Sequence, residues 1–329
     1  MEIVAMKKTL LALAVLGAFA GAASAQSSVT VYGKLDLALA KTVASKDKQV
    51  ADNNGSRIGF KGSEDLGNGM SAIFRIESQI SADTGAAQGG TTFWNRWSSV
   101  GLNTKFGSLQ LGRMESGAWD VVSSADPFGG DTIAQLRDVG ATLRTSKFDA
   151  TQALVDVRRL DNSVRYDGAF GAFKLSASVA ETYGAGTEKP YAVGASYTMG
   201  SLMVGGAYEA TTFENQKMWT AVGSYDFGMA KLSGSYSDGK TINDVDVKGF
   251  LVGVVVPYGA INLKAGYAQS KVDFAAGSQT LKKAGLGVEY KLSKRTKIYA
   301  DYARIGGDVG GSLAADNKNG YDFGLSHSF

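Results

Sequence analysis

Apolar and polar side chains alternate through residues 28–40, SVTVYGKLDLALA. One face would carry Val29, Val31, Gly33, Leu35, Leu37 and Leu39, and the other face Thr30, Tyr32, Lys34, Asp36 and Ala38. Successive side chains of a β-strand point to opposite sides, so this period of two predicts a strand. Its two sides would meet different surroundings, one apolar and one polar.

The same alternation recurs along most of the chain. It predicts sixteen strands, at residues 29–41, 54–64, 69–81, 92–104, 107–114, 159–168, 171–182, 189–199, 201–212, 217–227, 229–240, 246–257, 259–271, 281–291, 295–304 and 319–329. The links between them alternate between short and long. Short turns at one end and long polar loops at the other are typical of bacterial outer-membrane barrels.

A closed barrel follows from the backbone hydrogen bonds. In lipid, each unsatisfied N–H or C=O group costs several kcal/mol, so strands can cross a membrane only as a closed ring. We therefore expect an all-β, sixteen-stranded antiparallel transmembrane barrel with an aqueous lumen. A soluble β-sandwich is the alternative, because alternation alone would also suit two packed sheets.

The N-terminal residues predict an export signal. Met6-Lys7-Lys8 is a basic start, residues 9–20 are mostly apolar, and Ala23-Ser24-Ala25 fits a cleavage site. We expect a signal peptide over residues 1–25, with residues 1–5 upstream of the true start, and a barrel domain over 26–329. An uncleaved anchor is the alternative, but the apolar run is shorter than the ~20 residues that span a bilayer.

Composition excludes several other functions. The chain has no Cys and one His, which leaves no thiolate site and no His-rich metal site. The formal net charge is +3 with no basic block, so nucleic acid is not an expected partner. His327 shares the apolar parity of its strand, and no phosphate-binding glycine loop occurs. We expect neither an enzyme nor a cofactor.

Several ordered motifs resemble the general trimeric porins of Gram-negative bacteria, especially the β-proteobacterial branch. They are Ser28 to Asp36, Ser56 to Gly67 with its Arg-Ile-Gly-Phe-Lys-Gly core, Asn95-Arg96, Gly107 to Arg113, Asp126 to Asp131, Asn162 to Tyr166 and the terminal Phe329. The resemblance implies a homotrimer in outer-membrane lipid and a third loop folded into the lumen. It also implies that the outer-membrane assembly machinery reads Phe329.

The longest loop, about residues 115–158, carries several carboxylates, and loops of this length are often functional. Polar strand faces offer Lys34, Arg57, Arg75 and Arg165 opposite it. The resemblance adds Arg96 to the wall, and Asp126 and Asp131 to the loop. These seven residues are the predicted pore constriction. Arg158 and Arg159 lie where the loop rejoins the wall, and the sequence does not separate them.

The expected function is passive diffusion of ions and small hydrophilic solutes through an open, water-filled pore. The wall bases predict a mild anion preference, partly offset by the loop carboxylates. A substrate-selective channel is the alternative, although no continuous aromatic track is evident. A plugged structural or adhesive barrel is a third reading, which the lack of an extra soluble domain disfavours.

Overall fold

The computed structural model describes residues 27–43, 45–130, 132–140, 158–181, 189–211, 216–241, 244–275, 277–308 and 317–329. The strands of this part are β1 (Ser28–Lys41), β2 (Gln49–Ala51), β3 (Arg57–Gly67), β4 (Met70–Ser81), β5 (Ala86–Ala87), β6 (Trp97–Thr104), β7 (Gly107–Glu115), β8 (Arg159–Phe170), β9 (Phe173–Ala180), β10 (Tyr191–Met199), β11 (Leu202–Ala210), β12 (Lys217–Asp226), β13 (Lys231–Lys240), β14 (Asp246–Tyr258), β15 (Ile261–Phe274), β16 (Gly277–Lys291), β17 (Thr296–Gly307) and β18 (Asn319–Ser328). Its two short helices are α1 (Trp119–Ser123) and α2 (Arg137–Gly140). None of its helices is long and apolar enough to cross a membrane.

Sixteen of these strands form a closed antiparallel ring. Each pairs with its chain neighbours, and the ring closes where β1 pairs with β18, for example at Leu37 opposite Leu325. On its other side β1 pairs with β3, at Lys34 opposite Arg57. The short strands β2 and β5 only extend hairpins at the loop end. The predicted sixteen-stranded antiparallel barrel is confirmed.

The two faces of the wall differ as the alternation predicts. Along β1, Val29, Leu35 and Leu39 are exposed, whereas Lys34 and Asp36 are buried. The aromatic side chains beside the short turns are also exposed, namely Tyr197, Tyr225, Phe227, Tyr258 and Tyr290. The apolar face therefore suits lipid, with aromatics at the height of an interface. The face that carries the buried polar side chains is called the polar face below.

Strand ends differ from the prediction in a few places. Residues 92–96 were predicted to begin a strand, but β6 starts at Trp97. The Asn95 side chain accepts a hydrogen bond from the Gln79 backbone N–H at 2.8 Å, so it replaces a regular strand pair at the end of β4. In the other direction, β16 begins four residues earlier than predicted, because Gly277 pairs with Phe274.

Residues 116–140, apart from Asp131, pack against the polar face of the wall. The Ser233 hydroxyl donates to the Ala125 carbonyl at 2.7 Å, and the Lys283 ammonium lies 3.4 Å from the Asp138 carboxylate. Apolar residues of the segment, such as Val122 and Leu136, are buried there. The predicted site residue Asp131 and the predicted signal peptide lie outside the described residues.

Candidate pore constriction

Three arginines of the wall meet at one carboxylate, that of Glu77. Arg57, Gly59 and Lys61 of β3 lie opposite Gln79, Glu77 and Arg75 of β4, so the alternation brings these side chains to one face. The nearest nitrogens of Arg75 and Arg96 lie 2.8 and 2.5 Å from the Glu77 oxygens, and that of Arg57 lies 3.9 Å away. Glu77 is 2% exposed, so its carboxylate depends on these partners.

Aromatic side chains hold Arg75 in place. The Tyr32 hydroxyl donates to Glu77 and accepts from the Arg75 Nε, both at 2.8 Å. The Arg75 guanidinium also lies 4.2 Å from the centre of the Trp97 ring. A guanidinium over an indole face is attracted by the ring's negative face, which fixes the charge without neutralising it.

The long loop adds two further arginines to this cluster. The guanidinium groups of Arg137 and Arg158 lie 4.3 and 3.9 Å from the ring centre of Trp119 in α1. Arg158 also pairs with Glu115 at 3.1 Å. Arg159 pairs with the same carboxylate at 3.2 Å but does not line the cavity described next.

These side chains line one narrow cavity of about 190 Å³, which we call the arginine cavity. Its ionisable lining consists of Arg57, Arg75, Glu77, Arg96, Glu115, Arg137 and Arg158. The five guanidinium groups exceed the two carboxylates by three charges. A local excess of one sign in a narrow aqueous passage attracts counter-ions and biases which ions pass.

Two of the predicted wall bases lie beside the arginine cavity rather than in it. The Lys34 ammonium donates to Asn54 Oδ1 at 2.5 Å and lines a larger cavity. Arg165 is buried and pairs with Asp120 at 2.6 Å and Asp167 at 2.7 Å. These two carboxylates carry more charge than the single guanidinium, so the group adds no net positive charge for a passing ion.

The predicted loop acid Asp126 stabilises the conformation of the loop through hydrogen bonds within the loop. Its carboxylate accepts backbone hydrogen bonds from Phe128, Leu136 and Arg137, at 2.9, 2.8 and 3.0 Å. Burial raises the pKa of Asp126, although the three N–H donors favour its charged form. A carboxylate used in this way contributes more to the shape of the loop than to the field across the lumen.

Sequence reasoning missed Glu77 as the centre of the cluster, and it missed Arg137 and Trp119. The parity of β4 already placed Glu77 beside Arg75, so that signal was present. No comparable signal existed for Arg137 and Trp119, because their contacts depend on an irregular loop.

Comparisons with known proteins agree with this architecture. A family model described as Gram-negative porin matches residues 12–310. Outer membrane porin protein 32 of Delftia acidovorans is 30% identical, over 98% of this chain and all of that protein. The major outer membrane protein P.IB of Neisseria meningitidis serogroup A is 28% identical with the same coverage.

A solved structure shows the same barrel. The anion-selective porin from Comamonas acidovorans superposes with a TM-score of 0.75 at 26% identity, over 92% of this chain and all of that one. Since the family model spans most of the sequence and a relative matches it from end to end, this chain belongs to the Gram-negative porin family, and its barrel is a pore of the outer membrane.

Proposed function

We propose that the pore passes ions and small hydrophilic solutes by diffusion, with a mild preference for anions set at the arginine cavity. The observation that carries this proposal is the excess of three positive charges around that cavity. The similar porin from Comamonas acidovorans is described as anion-selective, which supports the same sign here. We assign the preference first to Arg57, Arg75 and Arg96, with a smaller contribution from Lys34, whereas two carboxylates offset the charge of Arg165.

The long loop is proposed to fold into the lumen and to narrow it. Its described residues contact the polar face of β10 to β16 through both short helices. Pro127 and Leu136 approach Gly253 and Gly266 so closely that a Cβ atom at either glycine would clash with them. Small residues on that face therefore leave space for the loop. We propose that Asp126 stabilises the loop conformation and that Asp131 adds a further charge to the loop.

Neutralising Arg57 provides the direct test. This side chain is 25% exposed and is held less tightly by Glu77 than its neighbours, so Arg57→Gln should preserve the fold. A unit positive charge about 4 Å away stabilises an anion and destabilises a cation by about 1 kcal/mol each in water, so its removal changes the anion-to-cation permeability ratio by at most about thirtyfold. We expect the zero-current potential of bilayers under a salt gradient to shift towards cation preference by up to that factor.

Arg304→Gln is the matched control, because Arg304 is exposed on the apolar parity of β17. This substitution should leave the potential unchanged. A cation-signed potential of the unmodified pore would refute the proposal, as would a purified folded barrel without conductance. A saturable, solute-blocked current would instead favour a substrate-selective channel.

We further propose the assembly that the sequence predicted: a signal peptide over residues 1–25, a homotrimer in outer-membrane lipid, and recognition of Phe329 by the outer-membrane assembly machinery. A role as a diffusion pore also argues against enzymatic activity. The large exposed apolar side chains of the wall support contact with lipid and with other subunits. Gel mobility before and after heating, with cross-linking, should report a heat-sensitive trimer, and a monomer under all conditions would contradict it.

A further inference from the structure

A second basic cavity lies at the short-turn end of the barrel. Its volume is about 780 Å³, and we call it the basic vestibule. It is lined at one side by the turn between β16 and β17, which includes Lys294 and Arg295. Gly129 of the long loop lines both this vestibule and the arginine cavity, so the two adjoin at the loop.

The vestibule is richer in positive charge than the arginine cavity. Seven basic side chains line it and only two acids, Glu289 and Asp126. Both acids are already engaged. Glu289 pairs with Lys264 at 3.1 Å and with Lys297 at 2.6 Å, while Asp126 accepts three backbone hydrogen bonds.

Four of the bases lack an acidic partner among the residues that the structure describes. Within the described ranges, no carboxylate lies within ion-pair distance of Lys231, Lys291, Lys294 or Arg295, and all four side chains are exposed. Lys231 begins β13, whereas the other three surround the β16–β17 turn. Uncompensated charges from two separate turns therefore face one space, where their fields add.

We propose that the basic vestibule binds small polyvalent anions of the oligophosphate class, separately from the arginine cavity. Lysines make up most of its basic residues, and a lysine ammonium binds phosphate as a point charge without the fixed planar geometry of arginine. Such a site selects for the number of charges on the ligand rather than for its shape. A volume of several hundred Å³ is ample for a short oligophosphate.

This inference rests on the proposed diffusion function, because block of the open pore is its readout. Inorganic tripolyphosphate is added to either side of a bilayer that contains channels of known orientation. The chain has no Cys, so Ala86→Cys in the exposed β4–β6 hairpin accepts a thiol reagent too large to pass the pore from the loop side only and reports that orientation. We expect tripolyphosphate to reduce the current at lower concentration from the turn side, and monophosphate to act more weakly.

The triple variant K291S/K294S/R295S removes three uncompensated charges from exposed turn positions. The half-blocking concentration of turn-side tripolyphosphate should rise at least about tenfold, since each removed charge weakens the attraction. The double variant K105S/K174S is the matched control, because both lysines lie at short turns of the same end but line another cavity. Turn-side tripolyphosphate should block this control variant at the same concentration as the unmodified channel.

The outcomes separate this inference from the proposed function. If the channel conducts with anion preference but the triple variant is blocked as before, the vestibule site is wrong and the diffusion function stands. Equal block from both sides, or equal block by monophosphate, would also overturn the site. Absence of conductance or a cation preference in the unmodified channel would instead refute the proposed function.

Discussion

At the scale of single residues, Glu77 explains why several arginines can occupy one small space. Its carboxylate is almost fully buried and pairs with Arg75 and Arg96 at 2.8 and 2.5 Å. Removing one partner of a buried ion pair typically costs about 3–5 kcal/mol, because the remaining charges lose their compensation. We therefore expect Glu77→Gln to lower the free energy of unfolding by about 3–5 kcal/mol, and with it the unfolding temperature of the barrel.

The same substitution should strengthen the anion preference, since it removes a negative charge from the arginine cavity. Thermal unfolding monitored by gel mobility and the zero-current potential measure the two effects. Glu64→Gln is a suitable control, because Glu64 is exposed near the end of β3. An unchanged potential together with unchanged stability would show that Glu77 does not organise the cluster.

Sequence reasoning could predict part of this site. Arg57 and Arg75 were recognisable because strand parity places a long basic side chain on the polar face at both positions. Their shared partner was harder to recognise, because the Glu77 contacts depend on the register between β3 and β4 and on the chain path before β6. The position of Arg137 over Trp119 depends on loop packing, which has no periodic signal.

At the scale of secondary-structure elements, period-two alternation predicted the number of barrel strands because each strand separates lipid from a polar interior. Strand ends were less predictable. Residues 92–96 include Phe93 and Trp94 and were therefore predicted to belong to a strand. In the structure, the Gln79 backbone N–H donates to the Asn95 side chain, and this bond takes the place of strand pairing. The short strands β2 and β5 have two or three residues, too few for alternation to appear.

Closure of the barrel depends on the seam between β1 and the end of the chain. Gly33 and Phe329 exchange two backbone hydrogen bonds of 3.1 Å. A Cβ atom at Gly33 would lie 2.4 Å from the Phe329 ring and 2.5 Å from the Arg57 carbonyl, so neither partner leaves room for it. We expect Gly33→Ala to lower the unfolding temperature and the yield of refolded barrel, as measured by heat-dependent gel mobility.

Gly223→Ala is the matched control for this seam. The Cβ atom there would meet nothing closer than 4.0 Å, although Gly223 also lies within a barrel strand. It should refold like the unmodified protein. Equal losses for both variants would mean that any added methyl group in a strand is harmful and that the seam is not special.

At the scale of the whole molecule, the formal net charge of +3 is small, yet its distribution is uneven. The arginine cavity and the basic vestibule each carry more positive than negative groups, and they adjoin at the long loop. The overall charge therefore says little about the ions that pass. What matters is which charges face the same water-filled space, and that is decided by strand parity and turn position.

This distribution predicts how ion preference responds to salt. The screening length is about 10 Å at 0.1 M ionic strength and about 3 Å at 1 M, so charges along the pore wall act on passing ions much more weakly in concentrated salt. Arg57 and Arg75 are 25% and 36% exposed and should be screened strongly. We expect the anion preference, measured as zero-current potential at a fixed concentration ratio, to decrease as both concentrations rise from about 0.1 to about 1 M. The Arg57→Gln channel should show a smaller decrease because it has less field to screen, whereas a preference independent of salt in both channels would indicate that pore size, not charge, selects the ions.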